Sequence, residues 1–457
     1  MSIKNDLIRV GSSNLILLLS GGINAFFIPK ILTISDYSEF KTYLMYVGFL
    51  GMFHFGYVDG IHAYFGGETR LSNTKKKECS IYFSFHLFVQ IIVTIILLLV
   101  SIFFKSNEII ILTILTILPV NLNSYILFFC QSIGNFKKYA KIVIIAPLIN
   151  LLVIFLFYKN LTINILIYTY IGSTIISLLY ALLSDRYLIK YSSLSNIIRS
   201  FYIYRFKIKS LFKIGIAFLI GNLVFLMFFD LGRLYTKFLK NSNDFAYYSF
   251  GVSLMTLIII IVNSLNKTLY PYLFNIKANK LKKIFVYLSI FGCFAMTSYY
   301  LVSYIVINYI PNYTNSLKLT GILFSSIPGA IIIKSIYHNQ YRIEKLENVF
   351  LIDSIKYLTI GVMITLIVSI FKIISIEEIG IISVGVIYLW TLYPNRKLNL
   401  KSEINNVKWY IINSVFVFLI CQNLDLNLIN KVILTSLLLV IILLIFKKNI
   451  LKSYNPS

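Results

Sequence analysis

The chain has 457 residues, 58% hydrophobic and only 13% charged, with a mean hydropathy of +0.82 and a formal net charge of +25. A soluble protein of this length could not cover so much apolar side chain with so few polar residues, so a water-soluble globular fold is excluded. The apolar runs do not alternate with polar residues, which excludes a transmembrane β-barrel and predicts membrane-spanning helices.

Fourteen such runs are predicted: Ile8–Pro29, Phe40–Ala63, Ser80–Phe104, Ile109–Phe129, Ile142–Tyr158, Ile163–Leu183, Leu211–Tyr235, Phe245–Leu265, Ile284–Ile307, Leu319–Tyr337, Val349–Phe371, Ile376–Tyr393, Trp409–Cys421 and Leu428–Phe446. The first is long, with no small-x-small cleavage site before the next polar loop, so it is kept as a helix rather than a removed signal peptide. It carries Asn14, Ser20, Gly21, Gly22 and Asn24 at bilayer depth and closes at Pro29. Small and polar residues there mark close packing or a cavity-lining face. The second run carries His54, then Asp59, Gly60 and His62; Asp59 with His62 forms a titratable pair near one mouth. The fourth has Pro119, Asn121, Asn123 and Ser124 at its middle, where proline opens the backbone ladder.

The segment from Ser184 to Lys213 is the longest hydrophilic stretch, basic and rich in tyrosine. Residues 184–210 are expected to form a linker between two six-helix lobes, residues 1–183 and 211–395, with residues 396–457 adding two further spans and a tail. Tyr202, Tyr204 and Phe206 alternate with Arg205, Lys207 and Lys209, a pattern for a helix at the membrane surface or for an ordinary basic loop. The chain then begins again. Lys213-Ile214-Gly215 opens the seventh run as Arg9-Val10-Gly11 opens the first. Asn241-Ser242-Asn243-Asp244-Phe245 leads into the eighth as Ser35-Asp36-Tyr37-Ser38 leads into the second. The offset of some two hundred residues is a pattern expected of transporters built from two related halves. Asp230 and Arg233 follow in the seventh run; they either neutralise each other as a buried pair or line a polar cavity. Pro328-Gly329, Lys334 and His338 lie in the tenth run, Asp353 and Lys356 in the eleventh; Lys267, Lys334 and Lys356 line a cavity or snorkel to headgroups.

The basic residues decide the topology. When successive connections are assigned to alternate sides, 31 of the 42 lysines and arginines fall on the side of the N-terminus. This is the positive-inside pattern, and it predicts that both termini are cytoplasmic. The charge is therefore a topology signal with some attraction to anionic lipid, and no nucleic-acid partner is expected. Cys79, Cys130, Cys293 and Cys421 are scattered without C-x-x-C spacing and are expected as small buried residues. His54, His62, His86 and His338 form no metal motif, and neither a metal nor a cofactor is expected. No D-x-D, P-loop or large aqueous loop supports a glycosyltransferase, a polymerase or an ATPase, which leaves transport as the broad function and no enzyme activity.

The helix from Gly11-Ser12 to Pro29, the Ser35-Asp36-Tyr37-Ser38-Glu39-Phe40 segment, the glycines of the second run and the restart at Lys213-Ile214-Gly215 resemble the Wzx-type polysaccharide flippases. These belong to the MOP superfamily with the MATE exporters and the lipid II flippase. The resemblance implies an all-α membrane protein with two pseudo-symmetric six-helix lobes around a central cavity. It implies movement of a polyprenyl-pyrophosphate-linked oligosaccharide from the inner to the outer leaflet of a bacterial cytoplasmic membrane, for O-antigen or capsule synthesis. A polysaccharide polymerase and glycosyltransferases are the implied partners. Such a substrate would call on cations, Arg233, Lys267, Lys334 and Lys356, for its pyrophosphate, and on Asn24, Asn121 and Asn263 for sugar hydroxyls. Asp59 or Asp230 would accept a coupling proton or sodium ion. Two other readings stay open: a MATE-type exporter of small molecules, and a non-transporting scaffold of a polysaccharide assembly complex.

Overall fold

The computed structural model describes residues 3–66, 72–190, 194–273, 278–344, 346–371, 374–398 and 401–452. Among these, every regular element is a helix, and many large apolar side chains are left exposed on the helices. Leu99, Ile102 and Phe103 at the end of the third span and Leu437, Leu444 and Ile445 in the last are examples. A surface of this kind suits a lipid environment, where backbone groups must be satisfied within each helix. The chain is an all-α polytopic membrane protein.

All fourteen expected spans are present as helices. Among the described residues, ten helices are long and apolar enough to cross a bilayer, and two bent pairs, the second and tenth spans, bring the number to twelve when each is taken as one span. The first span has a shorter apolar part, Leu15–Ile31, and the twelfth is the 17-residue helix Ile376–Leu392, at the lower limit for spanning. The thirteenth is longer than its apolar core suggested, running from Lys401 to Asn423.

The polar stretches before the second and eighth spans are helix starts rather than loops. Thr33 caps Ile34–Gly48: its hydroxyl accepts from the Asp36 amide at 3.1 Å and donates to the Asp36 carboxylate at 2.8 Å. Asn241 Oδ1 accepts from the Asp244 amide at 2.8 Å at the start of Ser242–Leu273. Each start is a cap with aspartate three residues on, satisfying amides that have no partner in the first turn.

The chain divides into two compact units: residues 1–23 with 31–223, and residues 24–30 with 224–457. In the first unit, the second span is broken. Helix Ile34–Gly48 gives way to a 3-10 turn, Leu50–His54, then to Phe55 and Gly56 with positive φ of 51° and 81°, and resumes as Tyr57–Tyr64 at an angle of 62°. The resumed piece packs directly on the seventh span. A Cβ on Gly60 would lie 2.1 Å from the Leu211 carbonyl oxygen, and one on Gly215 would lie 1.8 Å from that of Gly56. Gly56-x-x-x-Gly60 thus allows two backbones to touch, as small residues do between membrane helices. Pro119 does not break its span, which continues from Glu108 to Ser132. The expected linker is a 3-10 turn, Arg186–Ile189, followed by the opening turns of one 46-residue helix, Leu194–Leu239. At 1.5 Å per residue that helix is roughly 70 Å long, about twice a hydrocarbon core.

In the second unit the ninth span is two helices, Ala278–Ala295 and Ser298–Tyr309. The tenth bends by 48° at Ser325-Ser326, just before Pro328, and contains a π-turn, Ile333–Tyr337. A capping box of Ser375 and Glu378 starts the twelfth span. The last two spans form a hairpin in which Lys431 donates to the Gln422 carbonyl at 3.1 Å.

Candidate functional site

The break in the second span builds the most connected polar cluster of the first unit. A 3-10 turn inside a membrane leaves carbonyls that the helical ladder no longer uses. Asn121, fully buried on the fourth span, donates to the Leu50 carbonyl at 3.2 Å and to Gln90 Oε1 at 2.8 Å. Gln90, on the third span, donates to the Phe53 carbonyl at 3.0 Å. His86 Nε2 lies 3.3 Å from the Asn121 carbonyl, with its ring between those of Tyr57 and Tyr125. Asn121 therefore spends its amide nitrogen on the broken helix, and only Oδ1 lacks a partner.

Asp59 is buried, and His54 is one of its neighbours. His54 Nε2 lies 4.0 Å from Asp59 Oδ2, and the His62 ring stands edge-on to Phe128. The left-handed Phe55-Gly56 step curls His54 back: its Nδ1 accepts the Gly56 amide at 3.2 Å. Nδ1 being the acceptor, the ring proton sits on Nε2, facing the carboxylate.

Asp230 and Arg233 form the pair their spacing allows, with Nη1 to Oδ1 at 2.9 Å and both side chains largely buried. Gly232 between them lets the Tyr248 ring lie flat on the helix; a Cβ there would come 2.0 Å from Tyr248 Cζ. The Tyr248 hydroxyl is 3.5 Å from Ser383 Oγ, so the pair is enclosed by the eighth and twelfth spans. Arg233 Nε has no hydrogen-bond partner. The guanidinium thus keeps donor capacity beyond its own carboxylate.

The other candidates are dispersed. Lys356 is exposed, 5.1 Å over the Tyr357 ring, and lines a pocket with Asp353, Tyr393, Pro394 and Asn395. Lys334 is half-buried in the π-turn of the tenth span, an irregularity frequent at functional sites. Asn24 is half-buried with Oδ1 unpartnered. The side chains of Asn263 and Lys267 lie outside the described residues. All four cysteines are free and buried.

Sequence reasoning missed three things. Gln90 was legible as a lone amide in the middle of an apolar run. Lys408 and Trp409 signal a second pocket, described below. The third is Glu78, which accepts from Tyr64, Tyr82 and Lys207, the last at 3.0 Å. Burial pushes the Glu78 carboxyl up, but these three bonds outweigh it and hold it below its ordinary value. The same contact ties residue 207 of the long seventh helix to the third span.

No family model matches this sequence, and a comparison with curated proteins finds no match. Among solved structures, the chain is similar to the lipid II flippase MurJ in an inward-closed conformation, with a TM-score of 0.59 at 12% identity, over 97% of this chain and 99% of that one. It is also similar to a Vibrio cholerae MATE transporter, with a TM-score of 0.52 at 13% identity, over 91% of this chain and 98% of that one. At these identities the likeness is one of fold. The fold is the one the lipid II flippase and the MATE transporters share.

Proposed function

We propose that this chain is a flippase that carries a polyprenyl-pyrophosphate-linked oligosaccharide from the cytoplasmic to the outer leaflet by alternating access. The product would feed the synthesis of a surface polysaccharide. The reading rests on a fold shared along nearly the whole chain with the lipid II flippase MurJ. Arg233 supports it: a largely buried guanidinium, held by Asp230 at 2.9 Å through Nη1, with Nε lacking a hydrogen-bond partner. Such a group can take a phosphate by two parallel hydrogen bonds, which lysine does not reproduce. The negative charge of a pyrophosphate then enters the protein while the polyprenyl tail stays in lipid. The MATE-type reading keeps the fold but requires affinity for cations, which an excess of intramembrane lysine and arginine opposes.

Surface glycan, read by immunoblot beside the membrane level of each variant, tests this. Arg233→Ala should abolish export at normal abundance, Arg233→Lys should impair it, and Asp230→Ala should do less damage because the cation remains. Loss of both proteins alike would instead mark a structural pair, since removing one partner of a buried pair costs about 3–5 kcal/mol. Normal export by Arg233→Ala at normal abundance would end the proposal for this residue.

A further inference from the structure

Two pockets of the second unit share the wall Tyr393-Pro394-Asn395 that follows the twelfth span. One, of ≈ 350 Å³, is lined by Asp353 and Lys356; the other, of ≈ 360 Å³, by Ile404, Asn405, Lys408, Trp409 and Ile412. The only acid among these lining residues is already engaged. Asp353 Oδ2 accepts from the Tyr341 hydroxyl, and Oδ1 accepts from Asn395 Nδ2 at 3.3 Å. Lys356 and Lys408 each lie over an aromatic ring, Tyr357 at 5.1 Å and Trp409 at 5.7 Å, with no carboxylate partner among the described residues. Tyr393 and Trp409 are 70% and 53% exposed at the rim, and apolar Leu389 and Phe416 are exposed on the adjoining helices. Tyrosine and tryptophan with exposed apolar neighbours mark the level where headgroups meet acyl chains.

We propose that these pockets hold the phosphate headgroup of an anionic glycerophospholipid, a site separate from the transported substrate. The two ammoniums take the phosphate, the Asn405 amide bonds the glycerol hydroxyls, and the acyl chains run along Leu389 and Phe416. A soluble anion would use the charges but not the apolar path. Of the two roles the sequence leaves open for Lys356, cavity lining and snorkelling to headgroups, this site takes the second. Lys397, exposed two residues beyond Asn395, adds to the same field.

The protein carries its own reporter, since Trp390 is fully buried and Trp409 is exposed. Trp390 Nε1 has no hydrogen-bond partner, so Trp390→Phe leaves no acceptor unpaired and makes Trp409 the sole tryptophan. The full chain in this background is placed in nanodiscs containing phosphatidylglycerol or phosphatidylcholine with brominated acyl chains, which quench indole fluorescence. Half-quenching should occur at a phosphatidylglycerol fraction at least about fivefold below that for phosphatidylcholine, the selectivity that one lysine near an anionic surface contributes. Lys356→Gln with Lys408→Gln should remove the difference, and Lys356→Arg with Lys408→Arg should keep it. Equal quenching by the two lipids, or selectivity that survives the glutamine variant, would overturn the proposal. Relief of quenching by millimolar inorganic phosphate would assign the site to a soluble anion and overturn it equally. None of these readouts depends on glycan export.

Discussion

Asn121 and Gln90 show how a few amides make an irregular backbone tolerable in lipid. Their donors meet the carbonyls of Leu50 and Phe53 and each other, so the two side chains act as one unit. Replacing either with leucine leaves a buried carbonyl unpaired, at about 1–3 kcal/mol. Asn121→Leu and Gln90→Leu should each lower the melting temperature in detergent. The double variant should lose less than the two losses added, because the residues share one network; simple additivity would separate them. Asn121 stood out in the sequence as a polar residue at bilayer depth, but its partners did not. They depend on where the second span breaks, and Phe55 in a left-handed conformation has no sequence signature comparable to glycine's. The same break brings His54 within 4.0 Å of Asp59. By contrast, Asp230 and Arg233 were readable, because residues three apart on a continuous helix are neighbours whatever surrounds them.

At the level of elements, apolar run length placed a helix at each of the fourteen expected runs, up to twelve of them, among the described residues, long and apolar enough to cross a bilayer. It did not place the bends or the π-turn of the tenth span, which are set by packing around Pro328-Gly329. Nor did it show that residues 194–210 extend the seventh helix. There, the alternation of aromatic and basic residues reflects a helix whose Tyr204 meets Tyr82 and whose Lys207 meets Glu78. The most demanding contact between elements is that of Gly56 and Gly60 with Leu211 and Gly215. Gly215→Ala would drive a methyl into the Gly56 carbonyl, and overpacking of this kind costs about 1–3 kcal/mol. Its yield of folded protein by size-exclusion chromatography should fall. Gly172→Ala is the control, because nothing lies within 4 Å of its Cβ. Equal yields from the two would mean the backbones do not touch as described.

For the whole molecule, the internal repeat survived best as a local device. Thr33 with Asp36 and Asn241 with Asp244 cap the second and eighth helices in the same way, though few residues around them are identical. That is physically reasonable: a cap needs one oxygen acceptor at one position, whereas the lipid-facing residues between caps need only be apolar. The same tolerance explains how a fold can match a lipid II flippase along 97% of this chain at 12% identity. The most direct measurement is to deplete this chain in its host cell and follow the lipid-linked oligosaccharide on both leaflets. The account predicts that surface polysaccharide is lost while the intact lipid-linked precursor accumulates on the cytoplasmic leaflet. Undiminished arrival of that precursor at the outer leaflet after depletion would contradict it.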